Sequence, residues 1–323
     1  MVNARSILTL CLAICLTACD LTSSKPDAKI EHANQGVYDI KLTAKGDHAV
    51  VASIIHGGSL WRMKDKERIY NWNHAEGQYT ALAAVAISGD GKIALTADGN
   101  RLVAWKTEDG SSVGFWNTPS EILSLALSAD GQYALAGLKN FTAVYIEVST
   151  GSILSTVTHQ GKIGTVAISG DGGLGLTGSE DNTARLWRLK DGQQIRVWQH
   201  DLPVNLVALS NDGKLAFTAS QSDKGILWDP KANKQLFTIP IRSTAFSSAR
   251  FSKKGKQLLL GTTSRKTLLW NVKKKKQLQQ WIAPRRSMWK PGGIIIYDVA
   301  FGKKKGQYYA AGSNGITYRW KSK

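Results

Sequence analysis

The chain has few cysteines, and all three, Cys11, Cys15 and Cys19, fall within the first twenty positions. The body is therefore left without a disulfide framework, a thiolate metal centre or a cysteine nucleophile. Proline is also scarce, 7 residues against 31 glycines, and no run approaches the ~20 apolar residues of a membrane-spanning helix. Carboxylates are nearly missing from one end. Residues 250–323 hold 19 Lys and Arg with Asp298 as the single acid, so this stretch carries 19 − 1 = +18, the formal charge of the whole chain. No phosphate-cradling glycine motif opens a helix, and the six histidines read as scattered, without ligand spacing. What is abundant is glycine, tryptophan (11 residues) and a 42% hydrophobic share, which excludes collagen-like and disordered chains and favours aromatic-rich strands joined by tight turns.

The early cysteines belong to a targeting segment. Arg5 supplies a short positive start, and Ser6 to Leu16 form an apolar run of signal-peptide length, too short to cross a bilayer. The run ends in Leu16-Thr17-Ala18-Cys19, which resembles the bacterial lipobox. That resemblance implies cleavage before Cys19, a diacylglyceryl group on its thiol, and a mature protein anchored in the bacterial cell envelope and facing the periplasm. Asp20 resembles the signal that retains lipoproteins in the inner membrane, with the outer membrane as the other expectation. The expected organisation is a signal peptide over residues 1–18, the lipidated Cys and a tether over 19–27, and one folded domain over 28–323.

From about residue 36 the chain repeats a unit of roughly forty residues. Its instances are IKLTAKGDHAVVAS, VAISGDGKIALTA, LALSADGQYALAG, VAISGDGGLGLTG, VALSNDGKLAFTA, ARFSKKGKQLLLG and VAFGKKKGQYYAAG. Alternating apolar residues on both sides of a Ser-x-x-Gly turn predict a hairpin whose glycine takes a positive φ. A third strand ends in an aromatic, at Trp61, Trp105, Tyr145, Trp187, Trp228, Trp270 and Trp320. A fourth carries Trp72, Trp116, Trp198 and Trp281, each eleven residues further on.

These units resemble the WD-repeat family over residues 28 to 321. The fullest match is GSEDNTARLW, Gly178 to Trp187, and the Trp-Asp pair itself stands at Trp228-Asp229. The resemblance implies that His159, Thr177 or Ser179, Asp181 and Trp187 form a structural hydrogen-bonded tetrad. It also implies an all-β fold, a seven-bladed β-propeller of four-stranded antiparallel blades. The last blade is expected to borrow an N-terminal strand, at about 28–33, as its outer strand, which removes a free edge. A His beside an Asp is also half of a catalytic triad, but no Ser or Cys nucleophile motif accompanies this pair.

In such a propeller the first-to-second and third-to-fourth strand turns share the bottom face, and the other connections share the top. Lys253, Lys254, Lys256, Lys273, Lys274, Lys275, Lys276, Lys303, Lys304 and Lys305 then fall in bottom turns of blades six and seven. They are expected to form one patch suited to an anionic membrane, with the tether arriving beside it. On the top, the enlarged connection Ala283 to Gly293 offers Arg285, Arg286, Met288 and Trp289, types enriched at protein interfaces.

The sequence thus reads as a membrane-anchored, non-catalytic scaffold for another envelope protein. No catalytic, metal or cofactor residue is assigned, and no nucleic acid is expected as a partner. Two alternatives stand beside it: an envelope enzyme or ligand-binding propeller that uses the central channel, and an accessory factor in outer-membrane protein assembly. The latter rests on architecture alone.

Overall fold

Each repeat starts from the same local chemistry. In blades 2 to 5 a serine ends the first strand, and its hydroxyl donates to an aspartate two residues on, Ser88 to Asp90, Ser128 to Asp130, Ser169 to Asp171 and Ser210 to Asp212, at 2.6–2.7 Å. The same hydroxyl accepts the N–H of Ile93, Tyr133, Leu174 or Leu215, which leads into the second strand. The glycine after the aspartate has φ between 67° and 80°, a conformation that a Cβ disfavours, and its N–H returns to the serine carbonyl. Turn chemistry therefore fixes the register of each hairpin.

The computed structural model describes residues 22–23, 25–74, 79–221, 224–285 and 293–322. It is a seven-bladed propeller of antiparallel four-stranded blades, as expected. Blade 1 contains Val37–Leu42, His48–Ser53, Gly57–Arg62 and Glu67–Trp72; blade 2 Ala84–Ile87, Ile93–Asp98, Arg101–Lys106 and Ser112–Asn117. Blade 3 contains Ile122–Leu127, Tyr133–Leu138, Thr142–Glu147 and Ile153–Thr158; blade 4 Ile163–Ile168, Leu174–Ser179, Thr183–Arg188 and Gln193–Gln199. Blade 5 contains Val204–Leu209, Ala216–Ser220, Lys224–Asp229 and Lys234–Pro240; blade 6 Phe246–Phe251, Gln257–Thr262, Lys266–Asn271 and Lys276–Ile282. Blade 7 contains Ile296–Phe301, Gln307–Gly312 and Ile316–Lys321. Each first strand is innermost and packs on the first strand of the next blade, the seventh on the first.

Blade 7 takes its outer strand from the N-terminal side. Ala28–Glu31 pairs antiparallel with Ile316–Lys321, Ala28 opposite Arg319 and Glu31 opposite Ile316, and Asp27 forms ion pairs with Arg319 and Lys321 at 2.6 and 3.0 Å. Within the stretch expected as tether, Thr22–Ser23 pairs parallel with Gln280–Trp281 and adds a fifth strand to blade 6.

The tryptophan spacing has a packing cause. An outer-strand Trp of one blade stacks on the third-strand Trp of the next: Trp72 on Trp105 at 5.4 Å, Trp198 on Trp228 at 5.0 Å and Trp281 on Trp320 at 5.9 Å. Such pairs add about 0.5–1.5 kcal/mol beyond the burial of their rings. Nearer the axis, the third residue of a first strand clasps the next blade. Asp39 accepts the N–H of Val85, Ser124 that of Val166, Thr165 that of Val207, and Asp298 that of Leu42, which ties blade 7 to blade 1.

Candidate functional site

The structure brings His159, Thr177, Asp181 and Trp187 into one chain of hydrogen bonds. His159 follows the outer strand of blade 3 and reaches into blade 4. Trp187 Nε1–H donates to Thr177 Oγ1 (2.8 Å), Thr177 Oγ1–H to His159 Nε2 (2.7 Å), and His159 Nδ1–H to Asp181 Oδ2 (2.9 Å). Asp181 also accepts from the Gln160 N–H, from Thr183 and from Arg185. Ser179 stands outside this chain and holds the turn, donating to the Gly161 carbonyl and accepting the Asp181 N–H. Burial lowers the pKa of His159 more than Asp181 raises it, so the imidazole is neutral at pH 7. Burial alone would raise Asp181, but its bonds from Thr183, Gln160 and His159 hold it down to about 2. With the His159 side chain 0% exposed and both ring nitrogens engaged, the pair presents no atom to a substrate.

Four of the six histidines prove to be periodic rather than scattered. His32, His74, His159 and His200 lie 42, 85 and 41 positions apart, that is one, two and one repeats. His74 bonds Thr96 at 2.8 Å and His200 bonds Thr218 at 2.9 Å, while Trp105 and Trp228 donate to those same hydroxyls. His32 meets Trp61 edge-on at 4.8 Å and bonds Thr317. Burial pushes His32 down to about 3 and His200 to about 4, and lowers His74 as well. In blades 6 and 7 Leu260 and Ala310 occupy the place of that threonine, and the indole N–H groups of Trp270 and Trp320 are buried without a partner.

The first strands enclose a central cavity of about 1190 Å³. A bulge near the start of six of them turns Tyr38, Leu123, Gly164, Asn205, Ser247 and Tyr297 into its lining. At the position held by Ala86, Ala126, Ala167, Ala208 and Ala300 in five blades, blades 1 and 6 carry Lys41 and Arg250. The signal for these charges was present in the repeat itself, as Lys and Arg in a column of alanines. Lys41 pairs with Asp39 at 2.8 Å, and Arg250 pairs with Asp298 at 2.8 Å while donating to the carbonyls of Val299 and Leu42. Two carboxylates thus do converge on the channel, which spacing alone did not reveal. Both are engaged by a cation and by a backbone N–H of the neighbouring blade. Burial would lower the Lys41 pKa, but Asp39 and Asp298 raise it above its ordinary value, so the ammonium stays charged.

This charged group holds together the part of the ring that lacks a backbone collar. Around the bottom mouth, Asp90 N–H bonds the Ala129 carbonyl, Ala129 N–H that of Gly170, and Gly170 N–H that of Asn211, which links blades 2 to 5. The matching turn of blade 6 has Lys253 there, that of blade 7 begins Lys303, and neither makes such a bond among the described residues. All ten lysines are exposed in bottom turns. Lys303 pairs with Asp47 at 3.1 Å; among the described residues the other nine have no carboxylate partner.

On the opposite face, Ile54, Tyr79, Phe141 and Leu202 are exposed in second-to-third and fourth-to-first strand connections. Phe141 sits at φ 71°, where blades 4 and 7 have Asn182 and Gly315. A side chain costs about 1–2 kcal/mol in that conformation, and Phe141 leaves 45% of its surface exposed there. Arg285 is exposed on the same face; Arg286, Met288 and Trp289, like Cys19, lie outside the described residues. Among the described residues no cluster of His, Cys, Asp and Glu is arranged to hold a metal ion.

Residues 151–188 match the family described as WD domain, G-beta repeat. The match runs from the outer strand of blade 3 to the end of the third strand of blade 4 and contains the His159 network. No curated protein matches the chain. The match and the seven-bladed ring agree on the repeat architecture.

Proposed function

We propose that this chain is a lipid-anchored propeller of the bacterial envelope that binds another protein on its top face and performs no chemistry of its own. The opposition of its two faces carries this reading. Large apolar side chains, Ile54, Tyr79, Phe141 and Leu202, are exposed on the top, whereas the bottom of blades 6 and 7 presents ten lysines of which, among the described residues, nine have no carboxylate partner. Exposed aromatic residues suit the desolvated centre of an interface, and Phe141 presents its ring from a left-handed backbone that favours Gly or Asn. Arg285, exposed on that face, opens the connection from Ala283 to Gly293, whose Arg286, Met288 and Trp289 are of the residue types that protein interfaces favour. A non-catalytic role is supported by the His159–Asp181 pair and by Asp39 and Asp298, each of which is held by an internal cation and by a backbone N–H of the next blade. Anchoring is supported by the resemblance of Leu16-Thr17-Ala18-Cys19 to the lipobox, and Asp20 favours the inner membrane.

The test is a crosslinking capture from envelope membranes. The intact protein is compared with one variant carrying Tyr79→Ser and Phe141→Asn, and with a second carrying Arg285→Ala, Arg286→Ala and Trp289→Ala. A discrete protein captured by the intact chain and lost with either variant is the expected result; capture that survives both changes refutes a top-face site. Mass analysis of the N-terminal peptide reads the anchor separately, which should begin at an acylated Cys19.

A further inference from the structure

We propose that the bottom of blades 6 and 7 is a docking surface for an anionic phospholipid bilayer, so that the propeller lies against its membrane with the top turned away. The orientation rests on the anchored reading above; the charge of the face does not.

The lysines stand where the fold by itself favours acid. In blades 2 to 5 the turn aspartate accepts its serine hydroxyl and the N–H two residues on, as Asp90 does from Ser88 and Lys92. Blade 6 keeps the serine, whose hydroxyl still accepts the Gln257 N–H, but has Lys254 in place of the aspartate. The collar bond to the next blade is lost at Lys253. Lysine here replaces a residue that the turn can use by one that it cannot, and does so beside further lysines. The two bottom turns of blade 6 are joined by a bond of 3.0 Å from the Val272 N–H to the Lys256 carbonyl. Seven lysines, Lys253, Lys254, Lys256 and Lys273 to Lys276, thus share one end of one blade, and none has a carboxylate partner among the described residues. Their mutual repulsion is relieved by an external anion field.

The course of the chain says which anion field is at hand. Thr22–Ser23 runs parallel to Gln280–Trp281 in a strand that begins at Lys276, so its N-terminal end faces the lysine-bearing end of blade 6. Three residue steps separate Thr22 from Cys19, and a chain reaches at most about 3.5 Å per residue. An acyl group on Cys19 would therefore hold the edge of blade 6 within about 10 Å of the headgroups, close to one Debye length at physiological salt. Of the two acids between the anchor and the Ala28–Glu31 strand, Asp27 is already neutralised by Arg319 and Lys321, which leaves Asp20 as the single acid set against the seven lysines. A diacylglyceryl group carries two acyl chains and anchors by itself, so what a basic patch adds is the orientation of the propeller against the surface.

The first experiment uses the full chain with Cys19→Ala, so that no acyl group contributes, and vesicles of phosphatidylglycerol in phosphatidylcholine against phosphatidylcholine alone. Co-sedimentation on the anionic vesicles in excess of the neutral ones is expected. It should weaken about fivefold for each of Lys254, Lys274 and Lys275 changed to Gln, and recover when the same positions are Arg. The apolar N-terminal segment is common to every variant and cancels. Equal binding to both vesicles, or binding indifferent to the Gln changes, overturns the proposal. A second readout uses the lipidated chain reconstituted in the same vesicles and a membrane-impermeant amine reagent. Lys273 to Lys276 should be protected on anionic vesicles and reactive on neutral ones, whereas equal reactivity overturns the orientation. Failure of the anchor alone shows as an unacylated Cys19 with anionic-vesicle binding intact, which separates it from failure of the lysine face.

Discussion

Lowering the pH from 7 to 5 should destabilise the propeller through its repeat-position histidines before any carboxylate is protonated. An unfolded chain takes up a proton on each imidazole near the ordinary value of 6.5, whereas burial holds the folded pKa at about 3 for His32 and about 4 for His200. Below pH 6.5 the unfolded state therefore binds more protons, and stability falls with falling pH until the folded values are reached. At pH 5 the gap of 1.5 units corresponds to about 2 kcal/mol for each of the two, or about 4 kcal/mol together. His74 and His159 shift in the same direction and add to the slope. Carboxylates do not interfere in this window, because Asp181, at about 2, and Asp47, held lower still by His48, Thr43 and Lys303 against its own burial, lose their contribution only below about pH 4. The assay is urea unfolding followed by tryptophan fluorescence at several pH values, for the wild type and for a variant with His32→Gln and His200→Gln. The variant starts less stable at pH 7, since a buried hydrogen bond and ring packing are lost at each site, but its stability should fall less steeply toward pH 5. An unchanged slope in the variant would refute the assignment of the acid sensitivity to these rings.

Replacing Thr177 by Val leaves the buried His159 Nε2 and Trp187 Nε1 without partners and should cost about 2–4 kcal/mol, read by thermal or urea unfolding. Asp298→Ala strands Arg250 beside the channel and frees the Leu42 N–H, so a loss of about 3 kcal/mol is expected, and less when Arg250→Leu is added. Phe141→Asn should raise stability by about 1 kcal/mol, because Asn tolerates the left-handed backbone, while it weakens capture of a partner. A destabilised Asn variant would mean that the Phe141 ring makes a contact worth more than its strain.

The seven blades were legible because turn chemistry and packing both recur along the chain: the glycine after Asp90, Asp130, Asp171 or Asp212 fixes four of the hairpins, and the eleven-residue step seen from Trp187 to Trp198 places a stacked ring in three of the inter-blade gaps. The His159 network was legible for the same reason, since all its members fall within one repeat. The periodic histidines were masked by Thr118, which occupies the intervening position between His74 and His159. Asp39 and Asp298 lie 259 positions apart; only ring closure makes them neighbours, and no local pattern announces a contact across the seam. The lysine runs were visible as composition, but their placement where a backbone collar is interrupted required the three-dimensional arrangement of the turns.

Completion of blade 7 by Ala28–Glu31 also sets an order of events. That strand cannot find Ile316–Lys321 until the other six blades have brought the two distant segments together, so seam formation must be the last cooperative step and the one with the largest loop to close. Until then the third strand of blade 7 has an open edge, a template for pairing with another chain. Because a chain is synthesised from its N-terminal end, the segment that emerges first waits longest for its partner, and agents that hold or occupy residues 28–31 would delay maturation rather than weaken the finished ring.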